Sequence, residues 1–265
     1  MARGWACLLY HDVRPELAPP GGGPDRFAVT VDAFGRQLDR IRALGVRGCS
    51  IEQAMARPDG CVAISFDDGE AGLYRYALPA LVERGMTATF FITTSWVGTP
   101  GYVTWAELRE MRAAGMSIQS HTRTHPLLSE LDADRLLAEL RDSRRELDDA
   151  LGQATDTLAL PGGDEPRPPL RHLLAEAGYR VVATSRWGLN RPHAAVADGV
   201  RRAFRCTVRG EPPLGGFTRV VRGDPWVLGY QRVRGAALET MRSRLGTHRY
   251  GVLRKRFLDT LGAVR

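Results

Sequence analysis

Ile64-Ser65-Phe66-Asp67-Asp68-Gly69 carries an apolar run straight into two adjacent carboxylates and a glycine. Side by side, Asp67 and Asp68 repel each other, so a positive charge is expected between or beside them. About fifty residues later, His121-Thr122-Arg123-Thr124-His125 offers the imidazoles that would complete a divalent-cation site. One Asp and two His make the three-ligand set of a catalytic zinc-type centre, which leaves a position open for water. Zinc is the expected ion, and cobalt, nickel and iron accept the same ligands. The i, i+4 spacing of the histidines also occurs on the helix of HExxH proteases. Here Pro126 follows at once, Thr122 stands where the glutamate would be, and the segment leaves a strand, so a loop is expected. Successive residues at a strand end point different ways, so one Asp can hold the ion while the other acts on water as a base.

The elements that must position these groups follow a strand–helix alternation. Residues 6 to 10 form an apolar strand that ends in His11-Asp12, and residues 61 to 66 form the strand that delivers the Asp pair. Further strands are expected at 88–93, 116–120, 157–160 and 179–184, with a last one at 201–208. Helices are expected at about 31–44, 51–56, 71–84, 105–114, 132–151 and 167–177, the fourth opened by a Thr104/Glu107 capping box. Residues 15–25, with four prolines and Gly21-Gly22-Gly23, read as a surface loop, and 45–50 as a connector. This alternation predicts an α/β fold with a parallel sheet and right-handed crossovers, closed or nearly closed into a distorted (β/α)7-type barrel. His11, Asp67, Asp68, His121, His125 and the Pro161 turn would then share the carboxyl-terminal rim, where such barrels place active sites.

At 265 residues the chain can bury one barrel core, read as residues 1–208, with 209–265 a basic, partly helical extension packed on it. The net charge of +7 is not evenly spread. Residues 199–265 hold 15 Lys+Arg and 4 Asp+Glu, whereas residues 1–198 hold 22 and 26, so the candidate site lies in the acidic part. No nucleic-acid-binding module accompanies the basic tail, and nucleic-acid binding is not expected. Residues 249–261 read as a basic amphipathic helix, for which a solvated face is the simpler account and contact with an anionic membrane surface, a nucleotide-linked sugar or an acidic partner the alternatives. Cys7, Cys49, Cys61 and Cys206 are widely spaced and read as free buried thiols. The first ten residues lack the apolar length of a signal peptide and no run reaches a membrane span, which makes the cytoplasm the expected compartment.

The order FDDG, then SHTxxHPxL, then a strand ending in PxG resembles the NodB-type polysaccharide deacetylases, carbohydrate esterase family 4, over roughly residues 6 to 190. The resemblance implies that Asp67 is the general base and that Asp68, His121 and His125 hold the metal. It also implies that the backbone N–H after Pro161, that of Gly162, helps to form the oxyanion hole, with water attacking an acetamide carbonyl. The family's late Leu-x-His motif, source of the general acid, is missing near the C-terminus. Leu9-Tyr10-His11 fits it at the opposite end, as in the permuted branch of the family, and makes His11 the expected acid, with His193 as substitute. Two further departures bear on the site. The third motif often carries an arginine that orients the base, whereas this chain has Leu158-Ala159-Leu160-Pro161-Gly162-Gly163. The Asp-x-x-Asp-Trp motif is only hinted at by Ser185-Arg186-Trp187, leaving Trp187 between pocket wall and core.

The expected activity is therefore metal-dependent removal of the N-acetyl group from an N-acetylated amino sugar, either a glycan or a small sugar-containing intermediate. Two other readings compete with it: an amidase of the same fold acting on a non-sugar metabolite, and a glycan-binding barrel that has lost turnover.

Overall fold

The computed structural model of the protein describes residues 4–17, 27–192 and 194–235. Its strands are β1 (Ala6–Tyr10), β2 (Val13–Arg14), β3 (Val29–Thr30), β4 (Arg47–Cys49), β5 (Cys61–Phe66) and β6 (Thr89–Ile92). They continue with β7 (Ser117–Ser120), β8 (Thr157–Ala159), β9 (Val181–Ala183), β10 (Val196–Ala197), β11 (Val200–Ala203) and β12 (Cys206–Thr207). Ten of them form one curled sheet in the order β10-β11-β9-β8-β7-β6-β5-β1-β12, with β4 beside the first half of β5, where β6 has not yet begun. All its pairings are parallel except β10 with β11. β2 and β3 form a separate parallel pair.

Side-chain size explains why the sheet curls. Alternate residues of a strand face opposite sides, and here the larger ones, Leu8, Tyr10, Ile64, Phe66, Phe90, Ile92 and Ile118, pack outward under the helices. The inward set is mostly small, with Cys7, Ala63, Ala159, Ala183 and Ala203 around Phe91. A narrow interior lined by small side chains lets the strands bend toward one another. The ends of the sheet then meet in an unusual way. β11 pairs with β9 and β12 pairs with β1, and only Phe204-Arg205 separate them, so one run of chain changes partners and links the two edges.

The crossover helices begin where their capping residues place them. α1 (Val31–Ala43) starts on Thr30, α2 (Ile51–Ala56) on a Ser50/Gln53 capping box and α4 (Trp105–Ala113) on the Thr104/Glu107 box. α5 (Ala133–Leu151) runs from Asp132 to a left-handed Gly152. After β5 a single π turn, Leu73–Ala77, leads into α3 (Leu78–Glu83). The helix expected over 167–177 is reduced to a 3-10 turn at Pro168–Leu170 and α6 (Leu173–Glu176), because the prolines withhold the N–H groups a continuous helix needs.

Two features differ from the sequence reading: the connector 45–50 contains β4, and the last strand divides into β11 and β12. The chain beyond β12, read as partly helical, forms α7 (Leu214–Val221) and a helical run over 225–235. α7 packs on α1, where Arg40 Nε donates to Thr218 Oγ1 over 2.8 Å, and Phe217, Val220 and Leu228 join the main apolar cluster. All four cysteines are buried free thiols. The basic helix read at 249–261, His193 and most of the glycine-rich loop lie outside the described residues.

Gly72, at the head of the π turn, locks the loop after β1 to the chain after β5. Its backbone is ordinary, with φ of −61°, but a Cβ there would lie 2.1 Å from Asp12 Oδ1 and 2.3 Å from the Val13 carbonyl oxygen. Gly72→Ala is expected to cost about 2 kcal/mol or more through overpacking, read as a lowered urea midpoint with an unchanged slope.

Candidate metal centre and active site

Asp67 and Asp68 follow the last residue of β5, as the apolar run requires, and their backbones diverge at once. Asp67 N–H donates to the Tyr10 carbonyl over 3.0 Å, extending the β1–β5 pairing, and its side chain is buried at 4% exposure. Asp68 turns into the left-handed region, with φ of 76°, and Gly69 follows at 90°. That break in direction separates the two carboxylates. Among the described residues four non-glycine positions have positive φ, and three of them are Asp68, Thr122 and His125. The strain is therefore concentrated at this rim.

His121 leaves β7 with its N–H bonded to the Ile92 carbonyl, and its side chain is 2% exposed. Its Nδ1–H donates to the Ala159 carbonyl over 2.9 Å, which fixes the tautomer and turns the lone pair of Nε2 toward Asp68. Residues 121–125 form a loop, as Pro126 demands, held down by α5: Glu139 accepts from Arg123 N–H, Thr124 N–H and the Thr124 hydroxyl. His125 N–H donates to Thr122 Oγ1, and Trp96 stacks on the His125 ring with centroids 5.2 Å apart.

Asp68 Oδ1 lies 3.3 Å from His121 Nε2 and 3.6 Å from His125 Nε2, and one ligand atom from each residue falls within 4.8 Å of the other two. Atoms at the vertices of a tetrahedron around zinc, about 2.1 Å from its centre, stand roughly 3.4 Å apart, so the two Asp–His spacings suit such an ion. Asp68 Oδ1 is also buried without a hydrogen-bond partner, the one acceptor atom common to both short distances. The donor set is chemically right for a divalent first-row cation, and the residues fit it. Burial by itself would raise the Asp68 carboxyl, but the close imidazole of His121, with His11 and His125 nearby, brings it down to about 2. Burial likewise opposes a charge on His121, yet Asp67 and Asp68 outweigh it and raise the imidazole above its usual value. The two shifts are reciprocal: the imidazoles favour the Asp68 carboxylate, and the carboxylates favour the charged His121 ring.

Asp67 stands beside this set, its Oδ2 3.8 Å from His121 Nε2, and is occupied by a residue the sequence reading did not select. Arg205, fully buried between β11 and β12, gives Nη1–H to one oxygen of Asp67 and Nη2–H to the other, the second over 2.8 Å. Its Nε–H donates to the Thr184 carbonyl over 3.0 Å, and its guanidinium lies 5.2 Å from the centre of the Phe91 ring. Burial would lift the Asp67 carboxyl, but the Arg205 charge, helped by His121, holds it below the ordinary carboxylate range. The arginine missing from the third motif is thus matched by one from the far edge of the sheet. The available sequence signal was a single charge at an inward position of the otherwise apolar run Ala203-Phe204-Arg205-Cys206.

His11 and Asp12 at the end of β1 part company. Asp12 is drawn into an ion pair with Arg14, which also holds Glu70 at 2.7 Å. His11 remains on the rim, its Nδ1 buried without a protein partner and Phe27 stacked at 4.7 Å. Burial lowers the His11 imidazole, while Asp67 and Asp68 act against that fall. Pro161 is buried in the turn after β8, and Gly162 takes φ of 59° there, with Gly163 and Asp164 N–H bonded to Leu160 and Pro161. Trp187 is partly buried and packs against the main apolar cluster.

The curled, mostly parallel sheet is the fold of NodB-type deacetylases. The chain is homologous to that family: residues 54–182 match the family model described as polysaccharide deacetylase. Among individual proteins, it is 33% identical over 156 residues to a Bacillus subtilis protein described as a polysaccharide deacetylase, YxkH, covering 59% of this chain and 53% of that one. It is 30% identical over 119 residues to chitin deacetylase 1 of Cryptococcus neoformans, covering 44% and 24%. The chain thus spans about half or less of these relatives' lengths. Among solved structures it resembles the Streptococcus pyogenes deacetylase PplD in complex with acetate, with a TM-score of 0.68 at 26% identity over 79% of this chain and 94% of that one. His11 and Arg205 lie outside the matched stretch 54–182.

Two measurements follow from this geometry. Arg205→Met leaves a buried carboxylate without its partner and is expected to cost about 3–5 kcal/mol in urea unfolding, of which Asp67→Asn in the same chain restores a part. His125→Ala removes one donor of the Asp68, His121 and His125 cluster, and zinc content by elemental analysis after dialysis is expected to fall well below one ion per chain.

Proposed function

We propose that this protein is a metal-dependent N-deacetylase of N-acetylated amino sugars, with a glycan as substrate in preference to a small sugar-containing intermediate. The observation that carries the reading is the division of labour in the Asp pair. Asp68 shares a cluster with His121 and His125, while Asp67, 3.8 Å from His121, is kept ionised by Arg205. The homology to polysaccharide deacetylases supports the substrate class, and the names of the relatives above favour a polymer.

A divalent ion held by Asp68, His121 and His125 would supply Lewis acidity toward the acetamide carbonyl and toward water. In the proposed reaction Asp67 takes a proton from the attacking water as its oxygen bonds to the acetamide carbon. Arg205 orients the Asp67 carboxylate by occupying one lone pair on each oxygen, so the remaining lone pairs face the rim. The N–H of Gly162 donates to the carbonyl oxygen as it becomes an oxyanion, the left-handed turn at Gly162 giving that N–H its direction. His11 delivers a proton to the nitrogen as the C–N bond breaks, releasing acetate and a free amine. Buried, unpartnered Nδ1 supports His11 in this role, because the ring is held on the rim without a competing hydrogen bond at that atom.

Two substitutions test the roles. Asp67→Asn is expected to bind metal as the parent does but to release acetate from N-acetylglucosamine oligomers at least about 100-fold more slowly. Unchanged turnover would remove Asp67 from the role of base. His11→Ala is expected to reduce kcat by a similar factor with metal content intact. Comparable acetate release from short non-sugar acetamides and from the oligomers would favour the amidase reading instead.

A further inference from the structure

The helical run over 225–235 presents an apolar stripe to solvent that the barrel does not use. It starts on Asp224, whose carboxylate accepts from the N–H groups of Trp226 and Val227 while Arg219 holds it at 2.8 Å, and Pro225 occupies the first turn. Leu228 anchors the run in the main cluster at 5% exposure, and Arg232 lies over Phe204 with its guanidinium 5.6 Å from the ring centre. At 100° per residue, Trp226, Tyr230 and Val233 fall within about 60° of one another on the face opposite Leu228. They are exposed at 82%, 67% and 72%, the three highest values among the exposed large apolar residues. A well-capped, anchored helix thus carries two interface-seeking aromatics outward, spread over roughly 10 Å of its length.

Charge decides what such a stripe meets. Residues 214–235 hold Arg219, Arg222, Arg232 and Arg234 against Asp224, a net of +3. Residues 236–265 hold seven Arg+Lys against Glu239 and Asp259, a net of +5, so neither that segment nor a second copy of this face complements it electrostatically. A neutral glycan would leave the arginines without a role. An anionic lipid surface satisfies both parts, since Trp and Tyr rings settle at the headgroup level and nearby Arg side chains are drawn to negative headgroups. We propose that Trp226, Tyr230 and Val233, flanked by Arg222 and Arg234, form a docking face for an anionic membrane surface. This proposal is independent of the deacetylase reading.

Co-sedimentation of the full chain with phosphatidylglycerol/phosphatidylcholine vesicles and with phosphatidylcholine vesicles tests it. The parent is expected to bind the anionic vesicles and to leave them as salt rises. The triple substitution Trp226→Ser, Tyr230→Ser, Val233→Ser is expected to lower partitioning about tenfold or more with an unchanged urea midpoint. Trp226→Ser alone gives the same reading if the triple variant folds poorly, and should remove a blue shift of tryptophan emission on vesicle addition. Parent-like binding by the variants would assign vesicle binding to the basic residues alone and overturn the proposal. Failure of the parent to bind, or conversion of a dimer to monomer by the triple substitution in sedimentation velocity, would overturn it as well.

Discussion

The buried pair of Arg205 with Asp67 is the interaction on which the rest of this structure depends. The two residues are 138 positions apart, Asp67 at the end of the interior strand β5 and Arg205 on the link between β11 and β12, so the pair can form only when the sheet has curled and its last strand has changed partners. Removing two charges from water is costly, and a buried ion pair is not by itself a source of stability. What the pair supplies is geometric. A planar guanidinium with both oxygens of one carboxylate, a third bond to Thr184 and Phe91 beside it leaves Asp67 one orientation. Lysine, a point charge on a flexible stem, would neutralise Asp67 without setting its direction.

The same logic extends to the strained backbone. Asp68, Thr122 and His125 all sit in the left-handed region, which costs about 1–3 kcal/mol each for residues that gain nothing from glycine's freedom. The cost is borne by neighbours that fix the loop: Ser120 Oγ accepts from Thr122 N–H, Thr122 Oγ1 from His125 N–H, and Glu139 from the two residues between. Three hydrogen-bonding side chains thus hold an unfavourable conformation in one rigid arrangement. The mutual attraction of carboxylates and imidazoles, which brings Asp68 down and His121 up, is the electrostatic counterpart of that rigidity.

How much of this was legible in the sequence depends on whether a feature is local. Asp67-Asp68-Gly69 and His121 to His125 could be read because each is contiguous, ends an apolar strand and has a chemistry its neighbours do not share. Thr104 with Glu107 announced α4 for the same reason. Arg205 could not be read this way, because it is one arginine among many in a basic stretch and its meaning lies in a fold-back from the far edge. β4 was hidden by its length of three residues, Gly48 among them, and the shortened helix near Pro168 by an apolar pattern that prolines override. The helix over 225–235 offered only Asp224-Pro225 as a start signal, and its outward face is as apolar as a core face would be.

The partner change between β11 and β12 also fixes an order of events as the chain is made. β1 can meet β5 once some sixty-six residues have emerged, but its other neighbour, through Leu8 with Cys206, waits for about 140 more. Until then the growing sheet has an open edge at β1, and the Asp67 carboxylate has no guanidinium to receive it. Such long sequence separations slow closure because loop entropy must be met before the contact rewards it. Nascent and truncated chains ending before Arg205 therefore carry both Asp67 and Asp68 as neighbouring charges with no cation from the protein to pair with Asp67. The Asp68, His121 and His125 cluster can be in place on the central strands well before Asp67 is fixed, so assembling that cluster and orienting the neighbouring carboxylate are separable steps in the maturation of one site.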